Sequence, residues 1–102
     1  MAHIIWARRA IEDLENLVAY ISADAPAAAR RVAQRLIDRV ELLQQQPELG
    51  ARVPEDATGI YRELRQGKYR IVYRIEDQTV YVLCVHHGSR LLDTRDLSTE
   101  EA

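Results

Sequence analysis

The sequence predicts an α+β fold: an N-terminal helical hairpin packed on a twisted, mainly antiparallel sheet of about four strands. Two amphipathic helical stretches follow one another in the first half, and strand-like segments joined by two-residue turns fill the second. A chain of 102 residues holds one hydrophobic core, so residues 1–102 are read as a single domain.

His3 to Trp6 is rich in Ile and Trp and reads as a short strand. Ala10, Leu14, Leu17, Val18 and Ile21 then recur at helical spacing, with Glu12, Asp13, Glu15 and Asn16 turned away from the stripe. Ser22-Ala23-Asp24-Ala25-Pro26 breaks the pattern. Pro26 suits the first turn of a second helix, and Asp24 is placed to help cap it. That helix carries Ala29, Val32, Ala33, Leu36, Ile37, Val40 and Leu43 on one face, and Pro47 ends it. Two helices with so short a break form an antiparallel hairpin whose stripes need a lid. Trp6 and Tyr20 are read as core residues.

Residues 47–58 turn to Pro, Gly, Glu and Asp and read as a loop. Strands are predicted over 60–66, 69–76 and 79–86. Gly67-Lys68 and Asp77-Gln78 supply the two-residue turns. The first turn sets Arg65 opposite Arg70, Glu63 opposite Val72 and Tyr61 opposite Arg74. The second sets Arg74 opposite Tyr81, Val72 opposite Leu83 and Arg70 opposite Val85. Alternation then places Leu64, Ile71, Tyr73, Ile75, Val80, Val82, Cys84 and His86 towards the helices. Tyr61, Glu63, Arg65, Arg70, Arg74, Tyr81 and His87 fall on a basic, aromatic-edged outer face, around Val72, Leu83 and Val85. A slip of one residue would exchange the two faces.

Charge and cysteine content narrow the setting. The net charge is −2, yet residues 60–74 hold Arg62, Arg65, Lys68, Arg70 and Arg74 against Glu63 alone. Residues 91–102 hold Arg95 against Asp93, Asp96, Glu100 and Glu101. The basic patch suits an acidic or polyanionic partner surface. The pI near 5.9 lacks the excess of an obligate nucleic-acid binder. Cys84 is the only cysteine and forms no internal bridge, which favours a reducing compartment. No apolar run approaches the ~20 residues of a membrane span, and the N-terminus lacks the order of a signal peptide. A cytoplasmic chain without membrane contact, metal or cofactor is expected; Cys84 beside two histidines makes no zinc spacing.

The run from Tyr61 to Ile75, YRELRQGKYRIVYRI, resembles the signature hairpin of the RelE/ParE toxins, and VYVLCVHHGSR from Val80 to Arg90 is similar to their last strand and Gly-x-Arg. Ala10, Asp13, Leu14, Tyr20-Ile21, Asp24, Pro26 and Ala28-Ala29 agree with the helical part. Pro47-Glu48-Leu49-Gly50 and Val53-Pro54-Glu55 are similar to the loop before the hairpin. The resemblance implies the toxin half of a type II toxin–antitoxin pair. It also implies a ParD- or RelB-like antitoxin that wraps the toxin and holds it silent in a hetero-oligomer. The small core and the apolar Ile11 and Ala28 at the stripe edges point to docking along the helical hairpin and across onto the open sheet edge.

Two activities occur on this fold. RelE-like members cut messenger RNA on the ribosome, and ParE-like members poison DNA gyrase without a hydrolytic site. Cleavage needs a base for the ribose 2′-hydroxyl, cations for the phosphorane-like charge and an acid for the leaving oxygen. In many cleaving members one strand supplies two lysines, the next an arginine, the Gly-x-Arg an arginine and a following helix a tyrosine. The resemblance puts Tyr61 and Glu63 at the lysine positions, keeps Arg70 and Arg90, and puts Asp96 near the tyrosine. A nuclease would then rely on Glu63, Arg70, His87 and Arg90. The gyrase-directed reading uses Arg70, Arg74, Arg90, Tyr61 and Tyr81 as target-binding residues, and the missing lysines and low charge favour it. Taken singly, the strand arginines also fit solvated side chains stacked on tyrosines. A degenerate, non-toxic module that only binds an antitoxin is the third reading.

Overall fold

A computed structural model describes residues 1–99; Glu100 and Glu101 of the acidic tail lie outside the described residues. The chain runs β1 (His3–Trp6), α1 (Arg8–Ser22), α2 (Pro26–Glu41), a 3-10 turn Leu42–Gln44, β2 (Ala51–Arg52), β3 (Tyr61–Gln66), β4 (Tyr69–Glu76), β5 (Thr79–His87) and a 3-10 turn Thr94–Asp96. The sheet order is β1-β5-β4-β3-β2. β1 is parallel to β5 and every other pair is antiparallel. The fold is thus the expected α+β arrangement with one strand more. β2 pairs through only Ala51 and Arg52, too briefly to leave an alternating signal.

The helical stripes meet the sheet at Ala10, Leu36, Val40 and Leu43, against Leu64, Ile71, Tyr73, Val80, Val82 and Val85. Trp6 is half-buried against this core. Tyr20 is not; it is 83% exposed, one position off the Leu17–Ile21 stripe and close to the end of α1. Pro26 stands in the first turn of α2, but the N-cap is Ala25 with no side-chain bond, so Asp24 does not cap the helix. Asp13 also departs from expectation. β1 pairs with β5 only as far as Val82, and the Val85 amide beyond it needs an acceptor. Asp13 turns in, and its Oδ2 accepts from Val85 N–H at 3.0 Å. Burial pushes its carboxyl above the usual range.

Tyr73 is fully buried and anchors the loop after α2. Its hydroxyl accepts from Gly50 N–H at 2.8 Å and donates to Pro47 O at 2.8 Å. A Cβ at residue 50 would stand 2.7 Å from that hydroxyl and 2.6 Å from Glu63 O, so only glycine fits the approach. The first hairpin has the anticipated register, with Gly67 at φ 58° in its turn.

The second hairpin departs from its expected register midway. Arg74 faces Tyr81 and Tyr73 faces Val82, but Val72 faces Cys84 and Arg70 faces His86. Leu83 is the extra residue of a β-bulge, and every side chain after it changes face. Cys84 and His86 therefore point outward, and Val85 and His87 point towards the helices, the reverse of the expected alternation.

The outer face is not an open surface either. Val53, Val72, Cys84 and Leu92 form a second buried cluster, with Tyr61 and Leu97 packed on it. The segment after β5 folds back as a strap over the sheet, and Leu92 and Leu97 supply its apolar contacts. Its burial pushes the Cys84 thiol up to about 12.

Candidate functional site

Arg70 is the second residue of β4 and stands on the outer face opposite Arg65 and His86. β4 has neighbours on both sides, so a side chain projecting from it is walled by those of β3 and β5. The residue is 2% exposed, not solvent-facing as its alternation suggested. A buried guanidinium needs partners on each of its nitrogens. Nε donates to Glu63 Oε1 at 2.9 Å and Nη2 to the same oxygen at 2.5 Å. Nη1 and Nη2 donate to Glu55 Oε2 and Oε1 at 2.8 and 2.7 Å, a bidentate pair. Hydrogen bonding from Arg70 lowers the Glu55 carboxyl to about 2, and the same bonds raise the guanidinium above its ordinary value. Glu63 is 6% exposed and also accepts from Arg65 Nε at 3.2 Å.

The cluster reaches the strap. Glu55 Oε2 accepts from Leu92 N–H at 2.9 Å, and Arg70 Nη1 donates to Arg90 O at 3.4 Å. His86 Nε2 lies 3.1 Å from Arg90 O and 3.2 Å from Leu91 O. Carbonyls only accept, so this nitrogen carries the proton. The loop, the start of β4, the end of β5 and the strap thus converge on one buried ion cluster.

The remaining candidates are dispersed. Arg74 and Tyr81 share the outer face with Tyr61. Arg74 pairs with Glu76 at 2.6 Å and, with Tyr61, Leu83, Leu97, Ser98 and Thr99, lines a cavity of about 240 Å³. His87 is on the opposite side, edge-on to Tyr69 at 5.9 Å, with Nδ1 2.7 Å from Ser89 Oγ. Arg90 is exposed and lines a cleft with Asp13, Leu17, Tyr20, Tyr69 and His87. The three arginines therefore do not form one guanidinium group: Arg70 is buried, Arg74 is on the outer face and Arg90 is at the α1 cleft. Glu63 and His87 are separated by the sheet.

The cleft adjoins a second cavity of about 360 Å³ between the helices and the β3–β4 turn. Tyr20 and Tyr69 line both. Ile21, Val32 and Leu36 give the second an apolar floor, and Arg35 and Lys68 add charge at its wall.

This fold and its Gly-x-Arg cleft can be set beside known proteins. The family described as the ParE toxin of the type II toxin–antitoxin system parDE matches residues 4–92. The chain belongs to the ParE toxin family. Toxin RelE2 of Caulobacter vibrioides is 36% identical over 92 residues, which span 89% of this chain and 100% of that protein. The chromosomal ParDE system from P. aeruginosa has the same fold, with a TM-score of 0.72 at 22% identity, covering 85% of this chain and 96% of that one. The RelBE2 toxin–antitoxin complex from Mycobacterium tuberculosis gives 0.64 at 24% identity, covering 84% and 96%. The chain is thereby a type II toxin of the RelE/ParE superfamily. Among its described residues no helix is long and apolar enough to cross a membrane.

In this ParE-family chain the role of Glu55 is not legible in the sequence, because the residue sits in a loop with no periodicity to give its direction. Nor is the cleft, because Tyr20 and Tyr69 come from elements far apart in sequence. The signal for the ion cluster was present: Glu63 and Arg70 are diagonal neighbours on one face of a hairpin with a known register.

Proposed function

We propose that this toxin arrests growth by gripping a macromolecular target, DNA gyrase, and not by hydrolysing RNA, and that a cognate antitoxin silences it. The observation that carries the reading is the separation of Glu63 from His87. A general acid and base must both come within hydrogen-bond reach of one phosphodiester, about 2.6–3.2 Å. Glu63 is held by Arg70 and Arg65 on one side of the sheet, and His87 is bonded to Ser89 on the other. Tyr61 at the other lysine position brings no cation. Arg90 at the cleft, and Arg74 with Tyr61 and Tyr81 on the outer face, take the target-contact role, for which guanidinium and phenol groups suit an acidic surface. Arg70 serves them from beneath.

The cleft supports the antitoxin half of the reading. Arg90 in the cleft, with the apolar floor, Arg35 and Lys68 of the adjoining cavity, suits a segment with apolar anchors flanked by carboxylates, ordered on binding. Primer extension on ribosome-bound messages after induction tests the mechanism. Intact messages with an SOS response are expected; codon-phased cuts within minutes would assign the nuclease activity instead.

A further inference from the structure

We propose that Glu55 is a positioning residue, a buckle that fastens the strap and thereby sets Arg90 at the cleft. The inference rests on the contact role proposed for Arg90. Arg90 occupies a divided place: the residue lines the α1 cleft, while its carbonyl is held by Arg70 and His86 of the outer face. Arg70 and His86 donate to its carbonyl, and the Leu92 amide two residues on donates to Glu55.

Arg70 and His86 reach the carbonyls of Arg90 and Leu91, and Glu55 is the carboxylate that ties the strap to the guanidinium. One of its oxygens, Oε2, accepts from both Arg70 Nη1 and Leu92 N–H. The Glu63 carboxylate, by contrast, is bonded among the described residues to Arg65 of β3 and Arg70 of β4. The two carboxylates on Arg70 therefore differ in what they hold. Glu63 keeps a buried charge compensated, and Glu55 uses the same guanidinium as a fixed post for the strap.

The strap gives leverage beyond Arg90. Its Leu92 and Leu97 close the second apolar cluster, and Leu97, Ser98 and Thr99 form one wall of the cavity beside Arg74. Unfastening residue 92 therefore disturbs both places where a target-contacting arginine is presented. It leaves the α1–α2 core untouched, because none of that core is built from the strap.

Glu55→Gln tests this. Glutamine has one acceptor oxygen where two are needed, and its NH2 would face the Arg70 donors. Arg70 keeps Glu63, so the sheet stays folded. Amide exchange at Leu92 should accelerate at least about tenfold while Ile71 and Val82 stay protected. The inducer dose for half-maximal growth arrest should rise with it. Leu92→Pro removes the same amide without touching the carboxylate and should reproduce the effect, which covers the case in which Glu55→Gln fails to fold. The double variant Glu55→Gln/Arg90→Ala should be no weaker than Arg90→Ala alone, as for two residues acting through one contact. Retained Leu92 protection in folded Glu55→Gln would overturn the buckle. Full toxicity with a released strap, or losses that multiply in the double variant, would overturn its action through Arg90. Full toxicity of Arg90→Ala by itself would instead overturn the contact role on which the inference rests.

Discussion

Arg70 Nε lies 2.9 Å from Glu63 Oε1 across the β3–β4 hairpin, and both residues are buried. This pair divides the arginines into two kinds. Removing Arg70 leaves the buried Glu63 and the partly buried Glu55 without their main counter-charge, and breaking a buried pair from one side costs about 3–5 kcal/mol. Arg90 is exposed, and surface changes usually stay within about 0.5 kcal/mol. Urea unfolding of Arg70→Ala should therefore show a large loss of stability, and Arg90→Ala should match the parent while losing toxicity. Equal midpoints for Arg70→Ala and the parent would show that the cluster does not stabilise the sheet.

Glu55 makes stability depend on acid. Its carboxyl is lowered from 4.5 to about 2 by the bonds from Arg70. The unfolded chain therefore takes up this proton first as pH falls. The stabilisation is complete above the ordinary carboxylate range and is lost between about pH 4.5 and 2. Glu55→Gln should flatten that part of a stability–pH curve measured by urea titration; an unchanged slope would show that Glu55 keeps its ordinary value in the fold.

Tyr73→Phe removes one hydroxyl and leaves two backbone groups, Gly50 N–H and Pro47 O, without their partner. The expected loss is about 1–3 kcal/mol. Gly50→Ala should also destabilise, since its methyl would meet Tyr73 Oη and Glu63 O. Thermal melts of both variants check this, and unchanged midpoints would mean that the loop is not fastened there.

The Cys84 thiol, buried and pushed up to about 12, should resist alkylation at neutral pH until the chain unfolds. Mass spectrometry after iodoacetamide treatment, with and without urea, reads this directly. Rapid native labelling would mean that the strap opens readily.

The helical hairpin was legible because its stripes repeat at helical spacing. The β3–β4 register was legible because a two-residue turn fixes every later pairing. The alternation failed at Leu83, where the bulge carries no glycine or proline to mark it, and Cys84, Val85, His86 and His87 changed face with it. The burial of Arg70 was hidden for another reason. A basic residue amid alternating polar ones looks solvated, and the carboxylate and strap that cover it come from segments without periodicity. Legibility followed locality: the pairings set by adjacent turns were readable, and the contacts made by loop and tail were not.

The central claim is that a type II toxin of this architecture acts by holding gyrase and cuts no RNA. The most direct measurement adds purified toxin, freed of its antitoxin, to gyrase and relaxed plasmid with ATP. Loss of supercoiling and accumulation of cleaved plasmid, both reversed by the antitoxin and much weakened in Arg90→Ala, is the predicted result. Unimpaired supercoiling at toxin concentrations that arrest growth would contradict it.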